Sequence, residues 1–290
     1  MILLCVIAFV AGFVDAIVGG GGLIQTPAGL ILMPNESVAS VIGSLKIPSF
    51  TGTFFAAREY LQKVKIPLKR ILLFTSIAFA ASFTGSYCLT IVSNYYMKPI
   101  IFFVLVIIAI YTFTKKSLGQ SNTNNALVFS TSKGALLCLA LGFYDGFIGP
   151  GAGSLLVLAF ISFLGFDFLQ ANAHAKVVNL ATNLGSIVLF IIKGSIMWSI
   201  AIPMAICNAV GGILGSKMAI QKGNQFIRTV FLIVIIATLC RLGFDVFENG
   251  YIGFRKKKML INTIDAFSAL MKVYEVDHYI ACATSAMRDA

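Results

Sequence analysis

Apolar residues in this chain gather in long runs instead of alternating with polar ones. The clearest are Met1 to Val18, Ile71 to Val92, Ile100 to Thr114, Leu127 to Ile148, Val177 to Ile192, Ile196 to Leu214 and Phe226 to Leu239. Several approach or exceed the roughly 18 apolar residues that cross a bilayer as a helix. Runs that recur along a whole chain are not one signal peptide. The pattern predicts an all-α polytopic membrane protein with about eight transmembrane segments, or up to ten if two short apolar pieces also cross. Those short pieces, Leu23 to Met33 and Ser154 to Phe166, each follow a cluster of glycines.

Composition points the same way. Hydrophobic residues make up 58% of the 290 positions and charged residues only 11%, against about a quarter in soluble domains. Mean hydropathy is +0.92. The net charge of +11 would suit a nucleic-acid partner, but the basic residues sit in short loops: Arg58, Lys63, Lys65, Lys69 and Arg70 in one, Lys115, Lys116 and Lys133 in another. Cytoplasmic loops of membrane proteins look like this, so the expected partner is the lipid bilayer and not nucleic acid. The six cysteines form no CxxC or Cys/His spacing, so neither a metal site nor a disulfide is expected.

A shift of 130 positions lays the second half of the chain on the first. Gly12, Phe13 and Asp15 fall on Gly142, Phe143 and Asp145; Gly19 and Gly21 on Gly149 and Gly151; Lys46 on Lys176; Lys98 on Arg228. Chance would align leucines, but not Asp, Lys and Gly together. The expected organisation is a first transmembrane repeat over 1–120, a polar linker at 121–130, a second repeat over 131–247 and a non-membrane tail at 248–290. Internal repeats of this kind mark secondary transporters, with the substrate site where the repeats meet.

Lys46 and Lys176 fall near the middle of their apolar segments, where a lysine costs roughly 2.5–3.5 kcal/mol. Two readings stand: use at a cavity, or snorkelling of the ammonium to the interface. Asn172, Lys176, Asn179 and Asn183 follow an i, i+4, i+7, i+11 spacing and share one helical face. Lys46, Ser49 and Thr53 form a weaker stripe in the first half. Such a stripe lines a cavity or hydrogen-bonds between helices. His174 lies off it and reads as a packing residue. The glycine clusters break the helices where irregular backbone survives only if buried or wet. The short helix after each break offers free N–H groups and a positive dipole end, which suits an anion. Gly19, Gly21, Gly149 and Gly151, with Lys46, Lys176, Asn179 and Asn183, are therefore the candidate substrate-binding residues. Asp15 and Asp145 precede the breaks by four residues; they either relay protons, coupling anion movement to a proton gradient, or tie down the glycine loop.

"GFVDAIVGGGGLIQTPAGLI" and "GFYDGFIGPGAGSLLVLAF" resemble the paired signatures of the sulfite exporter TauE/SafE family, in particular its YfcA-like branch. "AKVVNLATNLGS", "GSIMW", "GGILGSKMA" and Arg228 match the same pattern, and the resemblance spans residues 1–240. It implies a bacterial-type inner-membrane permease for sulfite, sulfonates or related small anions, with no cofactor. One departure is visible: Ser44-Leu45-Lys46 stands where the family carries Thr-Asn-Lys. From Arg241 the chain turns polar, and "ACATSAMRDA" is similar to an early segment of Ppx/GppA exopolyphosphatases, without the core their chemistry needs. An enzyme is not expected, because no nucleophile–base pair or metal-ligand spacing appears. A membrane scaffold or receptor without transport is the alternative from another class.

Overall fold

A computed structural model describes residues 1–92 and 131–248. The expected linker at 121–130, the run Ile100 to Thr114, Lys98 and nearly all of the tail lie outside these residues. The chain divides into two compact units. One is Met1–Leu105 with Leu118–Val234; the other is Val106–Ser117 with Ile235–Ala290. Everything below concerns the first.

The described residues are helical, with no strand among them. They form α1 (Ile2–Val18), α2 (Gly21–Leu32), α3 (Val38–Leu61), α4 (Leu68–Ile91), α5 (Thr131–Phe147), α6 (Ala152–Leu164), α7 (Phe168–Ile192) and α8 (Trp198–Glu248), the last kinked at Gly223. By length and composition, three helices are fit to cross a bilayer: Leu68–Ile91, Phe168–Ile192 and Trp198–Gly223. The 24-residue α3 is as long as α4, but Lys46 and its polar neighbours dilute its hydropathy. Together these helices make a polytopic membrane protein.

Local chemistry sets the helix ends. The Ser37 side chain caps α3 by accepting from the Ser40 amide at 3.0 Å. Asp167 caps α7 by accepting from the Gln170 amide at 2.7 Å. α1 stops because Gly19 turns left-handed, with φ of 76°; α6 begins after Gly151 does the same at 79°. Side chains rarely adopt that conformation. At about 1.5 Å per residue, the 12-residue α2 and 13-residue α6 reach roughly 18–20 Å, too short for a ~30 Å hydrocarbon core. α2 folds back along α1: Met33 at its end packs in one cluster with Leu4, near the start of α1, and with Val41 and Leu45 of α3.

Small residues set the packing. Gly142 and Gly146 of α5 lie against Ala78 and Ser82 of α4, while Gly211 and Gly215 of α8 lie against Phe9 and Phe13 of α1. In both pairs the numbers rise together, so the helices run parallel. α3 and α7 run in opposite directions: Gly43 meets Phe190, whereas Thr53 meets Asn179. Without a hydrophobic force between helices in lipid, such close backbone approach is what holds them.

The two helix breaks also come into direct contact. A Cβ at Gly19 would stand 2.3 Å from the Gly153 carbonyl carbon. Gly19→Ala is therefore expected to lower the thermal midpoint of the purified protein, at a cost of about 1–3 kcal/mol. An unchanged midpoint would mean that the breaks do not touch.

Candidate functional site

The two breaks place both aspartates against the lysines of the opposite half. Lys46 Nζ donates to the Asp145 main-chain oxygen at 2.7 Å and to Asp145 Oδ1 at 2.9 Å. Lys176 Nζ donates to the Asp15 main-chain oxygen and, at 2.6 Å, to Asp15 Oδ2. Neither ammonium snorkels: Lys46 is 5% exposed and Lys176 is 1% exposed. Asp145 lies in the last turn of α5, where carbonyls run short of intrahelical partners; the Asp15 carbonyl accepts from the Gly19 amide at 2.7 Å and takes Lys176 on its second lone pair.

Further donors converge on the carboxylates. Asp145 Oδ2 accepts from Thr182 Oγ1 at 2.5 Å and from Asn179 Nδ2 at 3.3 Å. Asp15 Oδ1 accepts from the Gly21 amide at 3.3 Å. Thr53 Oγ1 stands 3.4 Å from Asp15 Oδ2 and 3.4 Å from Asn179 Oδ1. Asn183 Nδ2 donates to Asn179 Oδ1 at 3.3 Å. A continuous polar chain thus runs Lys176–Asp15–Thr53–Asn179–Asp145–Lys46 through the protein. Its charged members, two lysines and two aspartates, sum to zero.

A cavity of about 40 Å³ opens on this chain. Its lining includes Lys46, Ser49, Asp145, Asn179 and Asn183, with Gly19, Gly149 and Gly151 from the breaks. The first residues of α2 and α6, Gly22 and Ala152–Gly153, also face it, so two positive helix ends bear on one space. One water needs roughly 10–15 Å³ of such volume, so the cavity holds a few waters. An ammonium has three protons to donate, and Asp145 engages two of those on Lys46.

The candidates from sequence are not all equivalent in space. Lys176 lies outside the cavity lining and is held on Asp15. Gly21 serves the Asp15 carboxylate with its amide. Asn172, at the start of the stripe, is fully buried; its Nδ2 donates to the Phe168 oxygen at 3.1 Å, and its Oδ1 has no partner among the described residues. His174 is a packing residue, with its ring stacked 4.3 Å from that of Phe166 and Nδ1 2.8 Å from the Gln170 oxygen. Arg228 lies in α8.

Three polar contributors were not legible in the sequence. Thr182 holds Asp145. Gln25 donates to the Leu45 oxygen at 3.1 Å and accepts from Asn208 Nδ2 at 2.9 Å, joining α2, α3 and α8. At a shift of 130, Gln25 falls on Leu155 and Asn208 on Ala78, so a search for matched polar positions passes over them.

The sulfite exporter TauE/SafE family model matches residues 4–242. A probable membrane transporter protein of Haemophilus influenzae is 35% identical over 253 residues, covering 87% of this chain and 96% of its own length. A probable membrane transporter protein, ORF9, of a Sinorhizobium species is 34% identical, covering 82% and 90%. The probable membrane transporter protein YfcA of Escherichia coli K12 is 30% identical, covering 82% and 88%. No solved structure matches the chain. The family match ends before the tail, and the likeness of residues 241–290 to exopolyphosphatases finds no support.

Removing one partner of a buried pair leaves an uncompensated charge, at a cost of about 3–5 kcal/mol. Lys46→Met and Asp145→Leu singly are expected to destabilise by that order in equilibrium unfolding, and the double variant by less than the sum. Strict additivity would show that the two side chains are not coupled.

Proposed function

We propose that this chain, which belongs to the sulfite exporter TauE/SafE family, is a secondary transporter of the bacterial inner membrane for a small anion of the sulfite and sulfonate class. The observation that carries the reading is the meeting of Lys46, Asn179, Asn183 and both glycine breaks at one cavity. Lys46 supplies the charge facing the anion, and Lys176 holds the first break through Asp15. Asn179 and Asn183 orient the anion's oxygens. Gly19, Gly149 and Gly151 line the space, Gly21 ties the first break to Asp15, and the starts of α2 and α6 turn their positive ends toward the anion. Asp15 and Asp145 support both loops. No residue is assigned a catalytic role.

The halves are read as two repeats of opposite orientation. Helix starts at 2, 21, 38 and 68 are followed by starts at 131, 152, 168 and 198. The opposed courses of α3 and α7 support inversion, the arrangement in which one repeat rocks against the other around a central site. In this reading α1–α2 and α5–α6 are re-entrant hairpins, and the long helices cross.

The basic loops give the orientation. Lys63 and Lys65 lie between α3 and α4, Lys69 and Arg70 stand in the first turn of α4, and Lys133 and Lys222 lie towards that same end of the bundle. The opposite end, with the 33–37 and 193–197 loops, carries Glu36 and Lys193. The first end is cytoplasmic by the positive-inside rule, and the chain's N-terminus, packed near Met33, is on the other side.

Two experiments test this. In proteoliposomes, Asn179→Ala is expected to weaken apparent affinity for sulfite or a simple sulfonate about 10-fold, the worth of one hydrogen bond to a charged group; unchanged flux and affinity in both Asn179→Ala and Lys46→Gln would refute the site. In whole cells, cysteines at Glu36 and Lys193 are expected to react with a membrane-impermeant maleimide, and one at Lys65 only after permeabilisation. The reverse pattern would overturn the orientation.

A further inference from the structure

We infer that an anion taken up at Lys46 enters with one proton held on Asp145, so that the protein is a proton–anion symporter for monovalent oxyanions. The inference rests on the anion-transport reading of the same cavity and adds its coupling ion and substrate charge.

The charge balance carries it. Lys46, Lys176, Asp15 and Asp145 sum to zero, and all but Asp15 are at most 5% exposed. A monovalent anion added to that cluster leaves one uncompensated negative charge, and a buried unpaired ion costs several kcal/mol. A cavity of about 40 Å³ holds a few waters at most, at roughly 10–15 Å³ each, fewer than an ion's hydration in bulk. One proton restores neutrality.

Geometry names where it goes. Lys46 spends two of its three donors on the Asp145 main-chain oxygen and Oδ1. An incoming oxyanion competes with Oδ1 for the same ammonium. A proton passing from water to Oδ1 forms an O–H bond and turns that competitor into a donor. The Lys46 hydrogen bond to Oδ1 is then exchanged for one to an oxyanion oxygen, and Lys46 keeps all three of its protons. Oδ2 stays held by Thr182 Oγ1 and Asn179 Nδ2, so the carboxyl does not swing away and presents its new O–H beside the ammonium.

Asp15 is less suited. Its two oxygens are taken by the Gly21 amide and by Lys176, with Thr53 beside Oδ2, and Lys176 does not line the cavity. The charged and titratable groups around Asp145 are few. Lys46 faces it from α3 and Asp15 lies across the cavity on α1. Tyr144 neighbours it on α5, with its hydroxyl donated to the Pro150 oxygen at 2.5 Å. From α7 the neutral Asn179 and Thr182 donate to it. On α4, the neutral Ser86 Oγ donates to the oxygen of the neighbouring Gly146 at 3.0 Å. α2 and α6 present Thr26 and backbone to the cavity.

The test uses the purified full chain and methanesulfonate, a monoanion that does not itself titrate near neutral pH. Calorimetry in buffers of different ionisation enthalpy counts the protons taken up per anion bound. The expected result is about one proton per anion in the wild type, with affinity weakening up to tenfold per pH unit on the alkaline side. Asp145→Asn, which imitates the protonated acid, is expected to bind with no proton uptake and with pH-independent affinity. Should that variant fail to fold, the wild-type proton count and pH slope decide coupling, and Asp15→Asn decides the residue, since uptake lost there would overturn Asp145. Binding by the wild type without proton uptake would overturn the inference and leave the anion site standing. No binding of methanesulfonate, sulfite or thiosulfate at any pH would overturn both.

Discussion

Two lysine ammonium groups buried against two aspartates, each pair crossing from one half of the chain to the other, are the constraint on which this structure turns. A single buried ion costs several kcal/mol, and pairing repays that cost only with good geometry and further hydrogen bonds. Here the extra bonds come from the main chain: each lysine also takes the carbonyl oxygen of its aspartate. The Asp145 carbonyl lies in the last turn of α5, and the Asp15 carbonyl serves both the Gly19 amide and Lys176. The glycines let the two breaks come close enough for each lysine to reach the aspartate of the other half.

The crossing of the pairs explains much of the rest. For Lys46 to reach Asp145 while Lys176 reaches Asp15, the two breaks must lie side by side. Gly19 and Gly153 touch because nothing larger would let them. The parallel pairs α1–α8 and α4–α5 bring α1 and α5 close to the centre through glycine faces, and α3 and α7 pass one another in opposite directions with their polar faces inward. The outer surfaces are left apolar: Leu72, Leu73, Ile202 and Ile206 are exposed on α4 and α8, as a lipid-facing wall requires. The wall is apolar, and the polar cluster sits inside an otherwise apolar core.

The same interaction gives the site its character. With its formal charges balanced internally, the cavity is neutral. In the transport reading proposed above, attraction for an anion resides in one ammonium proton, two asparagines and two helix ends, and the anion enters by exchanging partners at Lys46.

Some of this was legible in the residues alone. Runs of apolar residues placed the helices, since only helices satisfy their own backbone in lipid. The spacing of Asp15, Gly19 and Lys46 against Asp145, Gly149 and Lys176 revealed two related halves, and the i, i+4, i+7 stripe put Asn179 and Asn183 on one face with Lys176. What the spacing could not reveal is that each lysine serves the aspartate of the other half. That pairing joins residues 99 and 161 positions apart, and periodicity reports only which side of a helix a residue occupies. The difference between Lys46 beside the cavity and Lys176 outside it, and the recruitment of Thr182, Gln25 and Asn208, likewise arose from how the helices cross. Sequence determined the helices, their breaks and the residue types too costly to waste in lipid; the tertiary structure decided which charge meets which, because only packing sets distance.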